Sequence, residues 1–362
     1  MKTSKQERQA ENAHFAAANS GGGFVSFYPE LFDAGKIRRR YIIKGGPGTG
    51  KSSFMRTVAD YAGACGRDVS LYYCSSDPDS LDAVVIDGEI VVADGTAPHT
   101  MDAEIPGARD EIVNLGVFWD GEKLAEQYNE ITALGALKSG CYRRAYRYLS
   151  GCQNLREIQR DLTAPALRMT KLNHAVQRIL REIPSGDGFC LTPGFCDSIG
   201  MKGRVRLDTE ERRAKKLFVA EDHYHIAPVF LSAILAGAAE KGLRVRVCYD
   251  PLHPEDPESV YLEESGICFV IGGAEEQATL TGRKDDTVRV NMKRFADADL
   301  LRTIRGEYRS AGRLYDALLG SATDALKQAG EYHFRLEKIY GACMDFEAQS
   351  RFAASFCRRI VD

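Results

Sequence analysis

The sequence predicts an α/β fold: a parallel sheet with helices on both faces, duplicated in tandem, with a long helical arm after each sheet. Three observations carry that prediction. A short apolar strand runs through a glycine-rich loop into a helix near residue 50. The same order of strand, helix and strand returns when the chain is shifted by 176 positions. After each unit, apolar residues change to a spacing of three or four and hold it for many turns.

The elements follow in order. A polar segment to about Ser20 leads into the turn signal Gly21-Gly22-Gly23, and Phe24–Tyr28 reads as a short strand ended by Pro29. Tyr41-Ile42-Ile43-Lys44 is a strand of buried type, entered from Arg38-Arg39-Arg40. Lys51 to about Ala64 carries Phe54, Val58 and Ala62 on one helical face, and Gly66 ends it. Val69–Cys74 and Glu89–Asp94 are further strands, and this spacing implies parallel pairing. From about 122 to 182, Leu124, Tyr128, Ile131, Leu134, Leu137 and Cys141 begin a helical arm, continued after Ser139-Gly140 by Leu149, Cys152, Leu155, Ile158 and Leu162, punctuated by Pro165 and Pro184 and read as a hairpin.

The chain then starts again. Lys216–Ala220, Val245–Tyr249 and Ile267–Ile271 read as strands, and Val229–Ala239 as a helix. Identical pairs under the shift include Phe54/Phe230, Ala62/Ala238, Gly66/Gly242, Val69/Val245 and Tyr73/Tyr249. A second helical stretch spans roughly 294–361. This divides the chain into a nucleotide-binding domain (1–121), a helical arm (122–185), a degenerate α/β domain (186–293) and a C-terminal helical region (294–362). Two unrelated α/β segments are the ordinary alternative to duplication.

Composition narrows the function. Lys+Arg is 48 against Asp+Glu 51, giving a net charge of −3, which argues against a DNA coat or a polybasic membrane binder. Nucleic acid is not indicated. No apolar run reaches the roughly 18–20 residues of a membrane helix, and Met1–Arg8 lacks a signal-peptide core, so the expectation is a cytoplasmic protein. The ten cysteines include no C-x-x-C pair, as expected of reduced thiols packed as small apolar groups.

Gly45-Gly46-Pro47-Gly48-Thr49-Gly50-Lys51-Ser52 fits G-x-x-x-x-G-K-[ST], the Walker A pattern, between a strand and a helix. Its glycines let successive backbone N–H groups form an anion nest, and the helix N-terminus, with Ser53, adds positive potential. Lys51 can reach β- and γ-phosphates, and the Ser52 hydroxyl can ligate Mg²⁺. Asp94, ending an apolar strand, suits the second Mg²⁺ contact of a Walker B strand. Gly95 stands where many ATPases carry a glutamate, and His99, five residues past Asp94, is a candidate for positioning water. Asp77 and Asp79 are candidates for orienting water or accepting a proton, with a plain Asp-Pro-Ser turn as the alternative. Arg143 and Arg147, i,i+4 neighbours on the arm, could clamp phosphate as a lid or form a solvated face. In the second unit Glu221–Pro228 has neither glycine nor lysine, so it should not bind nucleotide; His223 and His225 there are weak metal candidates. Arg204, Arg206, Arg212 and Arg213 are candidates for a cation delivered to the first site.

Gly45–Ser52, Cys74–Asp82 (CSSDPDSLD), Asp94–His99 (DGTAPH) and Arg144–Leu149 (RAYRYL) together resemble a family of bacterial P-loop ATPases, within the P-loop NTPase superfamily. That family has two tandem P-loop-like units with helical insertions and no assigned substrate. The resemblance is sharp over residues 40–150 and architectural elsewhere. It implies ATP and Mg²⁺ binding through Gly45–Ser52 and Asp94; the missing second phosphate loop departs from a two-site pattern. The expected function is a Mg²⁺-dependent ATPase (a hydrolase) with one active site, coupling nucleotide state to conformation. A P-loop small-molecule kinase and a nucleotide-gated binding module are the rivals. ATP is favoured over GTP because no N-K-x-D signature occurs. A protein or small-molecule partner is expected but not identified.

Overall fold

Apolar runs of four to six residues are too short for helices, and in the computed structural model they form two six-stranded sheets. The structure describes residues 12–32, 35–272 and 286–362; the polar stretch 1–8 lies outside them. The first sheet contains β1 (Ala13–Phe15), β4 (Arg39–Lys44), β5 (Val69–Tyr73), β6 (Leu81–Ile86), β7 (Ile90–Asp94) and β8 (Asp110–Asn114), in the order β1-β5-β6-β7-β4-β8. The second contains β9 (Cys190–Gly194), β12 (Lys216–Glu221), β13 (Arg244–Tyr249), β14 (Pro257–Leu262), β15 (Ile267–Gly272) and β16 (Thr287–Asn291), in the matching order β9-β13-β14-β15-β12-β16. Even the irregularity between Tyr72 and Tyr73 in β5 recurs between Cys248 and Tyr249 in β13. The tandem duplication is therefore present as two α/β units.

The sheets are mixed, which corrects the parallel expectation. β6 runs antiparallel to both β5 and β7. The cause is local: Asp87 (φ 51°) and Gly88 (φ 69°) are consecutive left-handed residues, the backbone of a tight hairpin turn, so the chain reverses instead of crossing over. The polar opening segment is also more ordered than its composition suggests. β1 and β2 (Ala17–Ser20) are almost wholly buried, and β2 forms a hairpin with β3 (Gly23–Ser26). An equivalent hairpin, β10 (Asp197–Gly200) with β11 (Gly203–Arg206), follows β9. The two units meet here: Phe15 and Phe195 exchange N–H···O bonds of 3.2 and 2.9 Å, and Asn19 Nδ2 donates to the Ile199 carbonyl at 2.8 Å.

Helices cover both faces of the first sheet: the short α1 (Tyr28–Phe32) on one, α2 (Lys51–Ala64) on the other. The arm is not a hairpin. After α3 (Gly121–Glu126), α4 (Tyr128–Thr163) runs as one helix of 36 residues straight through Ser139-Gly140. It lies along α8 (Ala298–Ala342), a helix of 45 residues from the other half.

The short helix that ends each long one then crosses to the opposite sheet. Leu172, Val176 and Leu180 of α5 (Met169–Arg181) join a core with Phe230, Leu231 and Ile234 of α7 (Ala227–Glu240). Reciprocally, Ala353, Phe356 and Ile360 of α9 (Phe346–Val361) pack with Phe54, Met55 and Val58 of α2. Paired backbone bonds fix the exchange: Arg168 N donates to Phe295 O at 2.8 Å, and Asp345 N to Phe118 O at 2.9 Å. Among the described residues no helix is long and apolar enough to cross a membrane. All ten cysteines are free thiols, most of them buried.

Because Phe356 contacts the rings of Tyr41 and Phe54 at 5.0 and 5.1 Å in a closed core, Phe356→Ala should cost about 3–5 kcal/mol in urea unfolding. Hydrogen exchange should rise in α2, more than 290 residues away in sequence, before it rises in α7.

Candidate functional site

The strand β4 ends at Lys44, and the loop that follows turns sharply because Gly48 (φ 69°) and Gly50 (φ 71°) adopt left-handed conformations. Gly48 is also held by space, since a Cβ there would stand 2.4 Å from the backbone oxygen of Glu337 on α8. Thr49 Oγ1 donates to the Gly46 carbonyl at 2.8 Å, closing the loop. Lys51 Nζ donates to the carbonyls of Gly45 and Gly46, each at 2.9 Å, and lies 3.6 Å from Asp94 Oδ2. Asp94 Oδ1 accepts from Thr96 N (2.8 Å) and Oγ1 (2.6 Å), so its other oxygen is turned toward Lys51. Ser52 Oγ accepts from Leu81 N at 3.0 Å.

These groups form one wall of a cavity of about 850 Å³. Gly45 to Ser53, Asp77, Asp79, Asp94 and His99 all line it, together with Cys74, Asp82, Lys138, Tyr142, Tyr146, His333 and Glu337. The sequence-predicted residues do not all have the expected roles. Asp77 accepts from Asp79 N (3.3 Å) and Ser80 Oγ (2.9 Å), the bonds of a turn. Asp79 is mostly exposed and pairs with Lys202 from the tip of the β10–β11 hairpin. Arg143 and Arg147 are exposed and do not line the cavity. The buried seam of α4 at Cys141, Ala145 and Leu149 orients the helix so that Tyr142 and Tyr146, each one position after a seam residue, face inward. The second-unit arginines are engaged elsewhere: Arg204 and Arg206 with Asp197 (3.1 Å for Arg206), Arg212 with Asp208 at 3.3 Å, and Arg213 with Asn12.

Asp82, at the start of β6, is the main residue that sequence reasoning missed. Its carboxyl is buried, and its Oδ2 lies 3.2 Å from His99 Nε2. Burial pushes this carboxyl up to about 6, with His99 opposing the rise and Asp94 adding to it. His99 is itself buried, stacked on Tyr28 at 5.1 Å and edge-on to Phe24 at 4.7 Å. The signal available in the sequence was the acid standing at the mouth of an apolar strand. The hard oxygen donors Ser52 Oγ and Asp94 fit Mg²⁺. Cys74, Asp82 and His99 place a thiol, a carboxylate and an imidazole within 4.8 Å, a set suited to a softer divalent ion.

The equivalent loop of the second unit is closed by its own side chain. Asp222 accepts from the backbone N–H groups of Tyr224 (3.1 Å), Ile226 (3.2 Å) and Ala227 (2.8 Å), so a carboxylate caps the N-terminus of α7 where the first unit has its glycine loop. Ala227 stands in the place of Lys51, and Glu258 in the place of Asp82. No group of potential metal ligands among the described residues includes His223 or His225. No protein-family model, no curated protein and no solved structure matches the chain.

Asp82 makes stability depend on pH. Its native carboxyl binds a proton more tightly than the ordinary value of 3.8 allows, so the native state loses stability as pH rises through about 4 to 6. Asp82→Asn should therefore gain about 1–3 kcal/mol at pH 8 and nothing near pH 4. Urea unfolding at the two pH values checks this; an equal change at both would refute it.

Proposed function

We propose that the protein binds one ATP with Mg²⁺ at Gly45–Ser53 and hydrolyses it, and that nucleotide state is passed to the long helices. The observation that carries this reading is the convergence, on one cavity, of a glycine loop at a helix N-terminus with Lys51, Ser52 and Asp94. The loop's N–H groups and the α2 N-terminus would bind the phosphates, and Lys51 would turn from the Gly45 and Gly46 carbonyls to the γ-phosphate. Ser52 and Asp94 would hold Mg²⁺, which neutralises charge on the phosphate oxygens. Asp82, held by His99, is the acceptor for the proton of an attacking water.

Coupling is supported by what covers the loop. Gln349 Nε2, on α9, donates to the Thr49 carbonyl at 2.9 Å, and the Glu337 backbone abuts Gly48. Both belong to the C-terminal helical region, so phosphates that reshape the loop press on elements continuous with the second unit. One observation favours a second reading: the cavity continues past the phosphate loop to the buried Asp82–His99 pair, Tyr142 and Tyr146. That compartment suits a substrate hydroxyl, as in a small-molecule kinase. A binding module with little turnover is the remaining possibility.

Lys51→Ala should abolish tight ATP binding or turnover in a protein that still folds, measured by calorimetry and phosphate release. The wild type should titrate with one ATP analogue per chain, since Asp222 closes the second loop; two tight sites would refute the assignment. Phosphate release with and without a panel of hydroxylated metabolites separates water from an organic acceptor.

A further inference from the structure

Lys138 lies on α4, lining the same cavity as the phosphate loop. Among the described residues it makes no hydrogen bond or ion pair, unlike Lys51, which has two loop carbonyls and Asp94. Burial and the Lys51 ammonium push the Lys138 ammonium below the ordinary lysine range, against a pull from Glu337. Two ammonium groups sharing a half-closed cavity repel, and a polyanion between them relieves the repulsion.

The other half of the molecule shows what stands at the equivalent position. Asp120 and Asp297 cap equivalent helices, and Leu167–Ala296 mirrors Met344–Trp119, so α4 and α8 correspond residue by residue between these anchors. In that register Lys138 corresponds to Tyr315, whose ring lies 4.4 Å from the Arg156 guanidinium. The half that has alanine in place of the loop lysine also lacks the arm lysine.

We propose that Lys138 is the catalytic cation that the helical arm presents to the γ-phosphate of ATP. The proposal rests on the ATPase reading. In the reaction the water oxygen bonds to the γ-phosphorus, the bond to the bridging oxygen breaks with its electron pair passing to ADP, and the water proton goes to Asp82 and then to solvent. Lys138 keeps its protons and donates hydrogen bonds to the γ-phosphoryl oxygens, where negative charge is spread in the transition state.

The test uses the full chain. Lys138→Ala should lower ATP turnover at least about tenfold while affinity for a non-hydrolysable ATP analogue changes less than about threefold. Lys138→Arg should recover part of the loss, and Leu137→Ala, at an exposed neighbouring position, should behave as wild type. A second readout is independent of turnover rate: Lys138→Ala should weaken binding of ADP with aluminium fluoride but leave binding of ADP alone unchanged. Wild-type turnover in Lys138→Ala, or an unaltered preference for ADP with aluminium fluoride, overturns the role of Lys138. A wild type that binds no ATP overturns the ATPase reading and this proposal with it, whereas binding with only the Lys138 effects missing overturns this proposal alone.

Discussion

Where α4 and α8 lie side by side, their contact is made largely of small and medium side chains: Ala145, Leu149 and Cys152 meet Ala322, Ala325 and Leu326. Small residues let two long helices approach closely, and over their length the buried apolar surface fixes their relative register. That register decides where each helix ends. Because the pair is antiparallel, the end of α4 is carried to the second sheet and the end of α8 to the first, and the tails α5 and α9 cover cores that their own halves did not begin. The same seam sets which face of α4 looks into the cavity, so the identity of its lining depends on packing some distance from any phosphate.

The two halves share a scaffold and differ in electrostatics. In the first, carboxylates and lysines surround an open cavity and stay incompletely paired, with the Asp82 carboxyl raised by burial. In the second, the corresponding groups turn on one another: Asp222 takes the backbone donors of its helix, and Arg204 joins Asp197 with Glu258, at 2.8 Å from the latter, while burial holds the Glu258 carboxyl well above its ordinary range as it does Asp82. Buried charge is costly unless paired, and the second half pairs its charges within the protein to a greater degree than the first. The second unit thus reads as a partner surface on which the first is built, and its β10–β11 tip rests on the loop that carries Asp79.

Much of this was legible locally. The helix Lys51–Ala64, the strands around it and the tandem order of the second unit follow from apolar spacing and glycine placement, because those patterns report burial directly. The hairpin at Asp87-Gly88 was legible too, as an Asp-Gly pair between two apolar runs, but a βαβ expectation hides it. Reading cations instead of burial likewise selects Arg143 and Arg147, whereas the seam at Cys141 and Ala145 turns Tyr142 and Tyr146 inward. Asp82 and Lys138 come to the cavity only beside neighbours brought from other elements. The exchange of tails is not legible at all, since an amphipathic helix such as α5 shows that it needs a sheet without showing which one.

That exchange has a consequence for how the chain is made. A ribosome delivers β4, α2 and β7 early, with Phe54, Met55 and Val58 already aligned on one helical face. Their cover, Phe356 and Ile360, lies about 300 residues further along the chain and is translated correspondingly later. The glycine loop at 45–52 therefore sits on a core that stays open until α9 is made, and nascent chains halted anywhere before α9 present an apolar face to whatever chaperone or neighbouring chain is at hand.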